Sequence, residues 1–140
     1  MDLLQSLKKD ETFETIKNNL YNTLTEENGS SEYCTWYLRV LTAAYLKSDP
    51  CRFQSYMEDE YTDINTFCAR EVEPMGRECG MLQVIALAES VGVHVKIEYL
   101  DGRPFDNKGL TLHQFGNMDS KTKITLLYRP GHYDILYEIE

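Results

Sequence analysis

The sequence predicts an α+β fold: a helical first half, then a helix, a strand and a C-terminal β-hairpin. Three observations carry this expectation. Apolar residues before Gly92 recur at helical spacings of three and four. The stretch "VHVKIEYLD" then alternates Val93, Val95, Ile97 and Tyr99 with His94, Lys96 and Glu98, the period of a half-buried strand. Finally, "KITLLYR" and "HYDILYE" are two strand-like runs joined by Pro130-Gly131, a pair suited to a tight turn.

Taken in order, Leu3, Leu4, Leu7, Phe13, Ile16 and Leu20 mark helical segments between Asp2 and Leu24, interrupted near Lys9–Glu11. Asn28-Gly29 is a turn signal that ends this stretch. Ser30 or Ser31 can cap the next helix, "EYCTWYLRVLTAAYLK". There Tyr33, Trp36, Tyr37, Val40, Ala44 and Tyr45 form a broad apolar stripe. In "SDPCRFQSYM", Asp49 is placed to cap and Pro50 to open another helical turn. "YTDINTFCAREVEPMG" reads as a short helix stopped by Pro74, which cannot continue the hydrogen-bond ladder. "RECGMLQVIALAESVG" places Leu82, Ile85, Ala86 and Leu87 on an apolar face, with Gly92 as its C-terminal cap. "DGRPFDNKGLTLHQFGNMDSKT", rich in Gly, Asp and Asn, reads as a loop. No repeat, low-complexity tract or interdomain linker interrupts the chain, so residues 1–140 are expected to form a single domain.

Length and composition bound the function. A chain of 140 residues buries about 68–70% of its unfolded surface when folded. Hydrophobic residues at 42% and charged residues at 26% are ordinary globular usage, so the chain is expected to fold. The net charge of −9 repels phosphate backbones and anionic lipid, which argues against nucleic-acid and membrane partners. Its first role is solubility. Cys34, Cys51, Cys68 and Cys79 form no C-x-x-C pair and no Cys/His cluster, so no structural zinc site is expected. The opening "MDLLQSLKKDETFE" has no basic flank followed by an apolar core, and no segment reaches transmembrane length. A reducing cytoplasmic or nuclear compartment and free thiols are therefore expected.

One stretch carries chemistry. In "GHYDILY", His132 and Asp134 are two apart in a predicted strand, so both project from one face. A carboxylate that fixes an imidazole's tautomer and stabilises its protonated form makes the histidine a general base. H-x-D on a strand is by itself a weak pattern, equally met by two polar residues at a sheet edge. His94, inside a valine-rich strand, reads as a packed or edge residue, and His113 as a loop residue. Neither has a companion at metal-ligand spacing, so neither implies a metal.

Four stretches, "SSEYCTWYLRVLTAAYL", "INTFCAREVEPMGREC", "LQVIALAESVGVHVKIEYLD" and "ITLLYRPGHYDILY", together resemble the otubain branch of the ovarian-tumour-domain deubiquitinases. The similarity runs in order from about Met1 to Tyr137. It implies a papain-like ovarian-tumour-domain fold and a cysteine peptidase that cleaves the isopeptide bond between ubiquitin and lysine. The partners implied are ubiquitin or polyubiquitin and, for some otubains, a ubiquitin-conjugating enzyme that is inhibited by binding alone. His132 and Asp134 occupy the positions of the family's base and its orienting acid. The thiol mechanism calls for no metal or organic cofactor.

The family's nucleophile is the cysteine of an Asp-Gly-x-Cys-Phe motif at a helix N-terminus, where the helix dipole favours the thiolate. The sequence contains no such motif; Asp101-Gly102 continues "RPFDN". The resemblance therefore implies a C-terminal part of the domain, with the catalytic-helix segment missing and the nucleophile outside these 140 residues. Cys79, near the start of the "MLQVIALAES" helix, is the strongest resident substitute; Cys34 and Cys68 read as core residues, and Cys51 as partly exposed. Many otubains carry Asp-His where this sequence has Gly80-Met81, so a ubiquitin contact made there by those residues does not transfer. An apolar face normally covered by the missing helix is expected to be exposed, making the isolated chain marginally stable or self-associating.

Overall fold

The computed structural model describes residues 12–26, 29–57, 61–100 and 110–137. The chain divides into two compact units, residues 1–37 and 38–140. The first holds α1 (Phe13–Thr25) and the opening turns of α2 (Ser30–Ser48). Thr12 caps α1 by accepting the Thr15 amide, and none of the residues of α1 is buried. The segment expected to be helical before Phe13, with its interruption near Lys9–Glu11, lies outside the described residues, as does Asn28.

In the second unit, α2 buries Thr42, Ala43 and Leu46. The Thr42 hydroxyl donates to the Leu38 carbonyl at 2.8 Å, which removes the cost of burying it. The expected stripe does not become a buried face: Tyr33, Trp36, Tyr37 and Val40 are exposed, Tyr33 at 72%. Periodicity identifies which residues share a helix face but not what covers that face.

Asp49 accepts the Arg52 amide and Pro50 opens α3 (Pro50–Gln54), as the sequence suggests. Asp63 caps α4 (Ile64–Phe67) by accepting from the Asn65 and Thr66 amides and the Thr66 hydroxyl. The helix continues as a π-helical turn, Cys68–Val72, and stops before Pro74. In α5 (Met81–Val91), Leu82 and Ala86 pack towards the helices, against Ala43, Leu46, Phe53, Ile64, Phe67, Cys68 and Val72. Met81, Val84 and Ala88 pack instead with Val95, Ile97 and the sheet. A helix covered on both sides must be apolar on both, which explains the run "LQVIALA". Gly92 closes it, with the Val93 amide bonded back to the Ala88 carbonyl.

The four-stranded sheet has the order β2-β1-β3-β4. β1 (His94–Tyr99) pairs antiparallel with β2 (Thr111–Gly116) and parallel with β3 (Lys123–Arg129), which pairs antiparallel with β4 (His132–Leu136). The hairpin is the expected one: Pro130 and Gly131 link directly paired Arg129 and His132, and Gly131 at φ 74° supplies the positive φ of a type II turn. β2 corrects the reading of "DGRPFDNKGLTLHQFGNMDSKT" as loop throughout. This edge strand exposes most of its side chains and owes its conformation to pairing with β1, which composition does not reveal. No described helix is long and apolar enough to cross a membrane.

Candidate functional site

β4 presents His132 and Asp134 on one face, and the side chains meet: His132 Nε2 lies 3.1 Å from Asp134 Oδ1. The other carboxylate oxygen, Oδ2, accepts from Arg129 Nη2 at 2.9 Å. Arg129 reaches it because the two-residue turn sets Arg129 opposite His132 on the neighbouring strand. The Asp134 carboxyl is held below its usual range, first by the His132 hydrogen bond and then by Arg129. With Nε2 committed to the carboxylate, Nδ1 is the ring nitrogen that remains for proton transfer.

His132 lines a cleft of about 400 Å³. The segment before α5 contributes Glu78, Cys79 and Gly80, and Met81 begins the helix. The sheet contributes Tyr99, Tyr128 and Tyr133, whose rings pack at a tilt, with centroids 4.7 Å apart for Tyr99–Tyr128 and 5.0 Å for Tyr128–Tyr133. Burial first, then the neighbouring tyrosines, pushes the Tyr133 hydroxyl up to about 12, so it stays neutral and the wall is uncharged.

The thiols divide differently from the sequence expectation. Cys68 is fully buried, and desolvation pushes its thiol up to about 11, so it is a core residue and not a nucleophile. Cys34, expected in the core, is exposed because the first turns of α2 bury nothing. Cys51 is exposed, and so is Cys79, which precedes α5 and shares the cleft with His132. His94 is packed, at 5% exposure, with Nε2 3.1 Å from Gln114 Oε1. His113 is in β2 and not in a loop; its ring packs on Tyr99 and Phe115. Among the described residues no three His, Cys, Asp or Glu side chains converge as metal ligands.

Two features of the site escaped the sequence reading. Arg129 was legible in principle, since R-P-G-H across a two-residue turn pairs the first residue with the last. The tyrosine wall was not, because it joins three strands and the α5 entry through tertiary packing.

Comparison with known proteins extends over nearly all of the chain. Residues 1–138 match the family described as peptidase C65 otubain. Ubiquitin thioesterase OTUB1 of Homo sapiens is 36% identical over 138 residues, covering 99% of this chain and 48% of that protein. Ubiquitin thioesterase OTUB2 of Homo sapiens is 30% identical over 151 residues, covering 97% of this chain and 62% of that protein. The chain thus spans about half the length of OTUB1 and somewhat more of OTUB2. Among solved structures, a ceOTUB1 ubiquitin aldehyde UBC13~Ub complex superposes with a TM-score of 0.77 at 30% identity, over 89% of this chain and 50% of that one. The α+β architecture is therefore that of the ovarian-tumour-domain fold, and the chain belongs to the peptidase C65 otubain family.

Proposed function

We propose that this chain carries the proton-transfer half of a thiol isopeptidase that releases ubiquitin from lysine side chains. His132 is the general base and Asp134 its orienting carboxylate. The observation that carries the reading is the 3.1 Å contact between His132 Nε2 and Asp134 Oδ1 beside an open cleft. Asp134 fixes the Nε2–H tautomer, which leaves Nδ1 unprotonated to take the proton of a thiol. The thiolate adds to the isopeptide carbonyl, and the imidazolium returns its proton to the departing lysine amine. Water then hydrolyses the thioester, with His132 again accepting the proton. Arg129 is a positioning residue that holds the second oxygen of Asp134.

The thiol comes from sequence outside these 140 residues. Two facts support this: no Asp-Gly-x-Cys-Phe motif occurs within them, and the chain covers 48% of human OTUB1. Cys79 is the rival inside the chain, because it shares the cleft with His132. A ubiquitin bearing a C-terminal electrophile separates the two. The 140-residue chain is expected to form no adduct; an adduct lost in Cys79→Ser would move the nucleophile into the chain.

A second reading, a non-catalytic module that binds ubiquitin or a ubiquitin-conjugating enzyme, is favoured by the similar structures, which are OTUB1 complexes with ubiquitin aldehyde and UBC13~Ub or UBCH5B~Ub. Titration with unmodified ubiquitin tests it without calling on any thiol. Saturable binding by the 140-residue chain supports it, and no binding removes it.

A further inference from the structure

One rim of the His132 cleft is main chain without regular structure: Glu78, Cys79 and Gly80 line it, between the π-helical turn and α5. Every residue from Met75 to Gly80 is exposed, so no buried side chain anchors this stretch. Among the described residues, neither Glu78 nor Cys79 forms a main-chain hydrogen bond. Exposed backbone with so few bonds opens at little cost. A rim that moves weakens binding, because whatever enters the cleft must first order it.

Arg39 supplies the anchor. From α2, its guanidinium donates through Nη1 to the Val72 carbonyl at 2.9 Å and through Nη2 to the Arg77 carbonyl. These two acceptors bracket the turn in which Gly76 takes φ 79°. The Val72 end is fixed in other ways: Val72 is 1% exposed, the Glu73 amide bonds to the Cys68 carbonyl, and the Glu73 carboxylate accepts from Lys47 at 2.6 Å. At the other end Arg39 is the only hydrogen-bond partner of Arg77 among the described residues, and the rim follows directly. A planar fork of donors bridges two carbonyls at once, which the single ammonium of lysine does not.

We propose that Arg39 is a positioning residue for the His132 cleft: by joining the main chain at Arg77 to α2, it holds the Glu78–Gly80 rim in place for the polypeptide that enters. It acts at a distance from the chemistry, since the partners of Asp134 are His132 and Arg129. The effect on isopeptide cleavage rests on the reading above; the ordering of the rim does not.

The test compares the unaltered 140-residue chain with Arg39→Lys, which keeps the charge and loses the fork, and with Lys47→Gln, which frees only the Glu73 side chain. Order parameters from 15N relaxation at the Glu78, Cys79 and Gly80 amides are expected at about 0.85 in the unaltered chain and in Lys47→Gln, and below about 0.6 in Arg39→Lys. Fully buried Ala86 and Ile97 should stay rigid in all three, which shows that the variants keep the fold. A rim already mobile in the unaltered chain, a rim still rigid in Arg39→Lys, or a loss of order shared by Ala86 and Ile97 would each overturn the proposal. In cleavage of a ubiquitin–lysine isopeptide by the protein captured from its own cells, Arg39→Lys should raise KM about tenfold and leave kcat and its pH dependence within about twofold. A fall in kcat with KM unchanged would contradict a role in holding the entering polypeptide. If the unaltered protein cleaves nothing, the isopeptidase reading fails and the relaxation result decides the role of Arg39 by itself.

Discussion

Gly116→Ala tests whether the sheet is built as described, because β2 ends in a contact that only glycine allows. A Cβ at this position would lie 2.0 Å from the Val93 carbonyl oxygen and 3.1 Å from Ala88 Cβ. Ordinary carbon–oxygen contacts start at about 3.3 Å, so the backbone must move by more than an ångström. The same oxygen accepts the Asn117 amide at 3.1 Å, and that bond would be strained with it. Gly116 also has φ 80°, where a side chain costs about 1–2 kcal/mol. Adding about 1–3 kcal/mol for the forced shift gives about 2–5 kcal/mol. Gly76→Ala is the control: φ is 79° and nothing lies within 4 Å, so only the backbone term applies. Urea unfolding followed by circular dichroism, with a common m-value, should separate the two variants by about 1–3 kcal/mol. Equal destabilisation would show that β2 does not close against Val93, and the placement of β1 and its Tyr99 in the cleft would fall with it.

Further outcomes follow from other parts of the structure. Arg52 forms two hydrogen bonds to Glu89, at 2.7 and 2.9 Å, and lowers the Glu89 carboxyl from its ordinary value, tying α3 to α5. Because that pKa is depressed on folding, the contribution is full above the unfolded value and is lost as pH falls through the folded one. Glu89→Gln should therefore cost about 1 kcal/mol at neutral pH and nearly nothing below the folded pKa, measured by urea unfolding across pH; a cost independent of pH would contradict the pairing. In native alkylation followed by mass spectrometry, Cys34, Cys51 and Cys79 should react and fully buried Cys68 should not; early modification of Cys68 would refute its place in the core. On β4, Ile135 is 59% exposed and the adjoining Tyr137 82%, so the isolated chain should sediment as a concentration-dependent mixture, relieved by Ile135→Lys. A concentration-independent monomer would contradict that.

What could be read from the sequence was what local periodicity determines. The shared face of His132 and Asp134 follows from the two-residue strand period, and their contact at 3.1 Å needs only the strand and a tight turn. Asp49-Pro50 and Gly92 announced helix ends because caps act over a single turn. β2 was hidden, since Thr111–Gly116 is a strand by virtue of β1 and sits among residues typical of loops. Cys34 was misassigned to the core for a related reason: helical spacing groups it with apolar residues, but partners decide burial. The link from Arg39 to the Arg77 carbonyl was likewise invisible, because it joins residues that only the fold brings together.

The most direct test of the central claim is the rate at which the protein captured from its own cells releases ubiquitin from a ubiquitin–lysine isopeptide, compared with the His132→Ala and Asp134→Ala variants made in the same cells. The account expects cleavage by the unaltered protein, its loss by about a hundredfold or more in His132→Ala, and a smaller loss in Asp134→Ala. Cleavage that persists near the unaltered rate without His132, or an unaltered protein that binds ubiquitin and never releases it from lysine, would contradict the assignment of His132 as the base of a thiol isopeptidase.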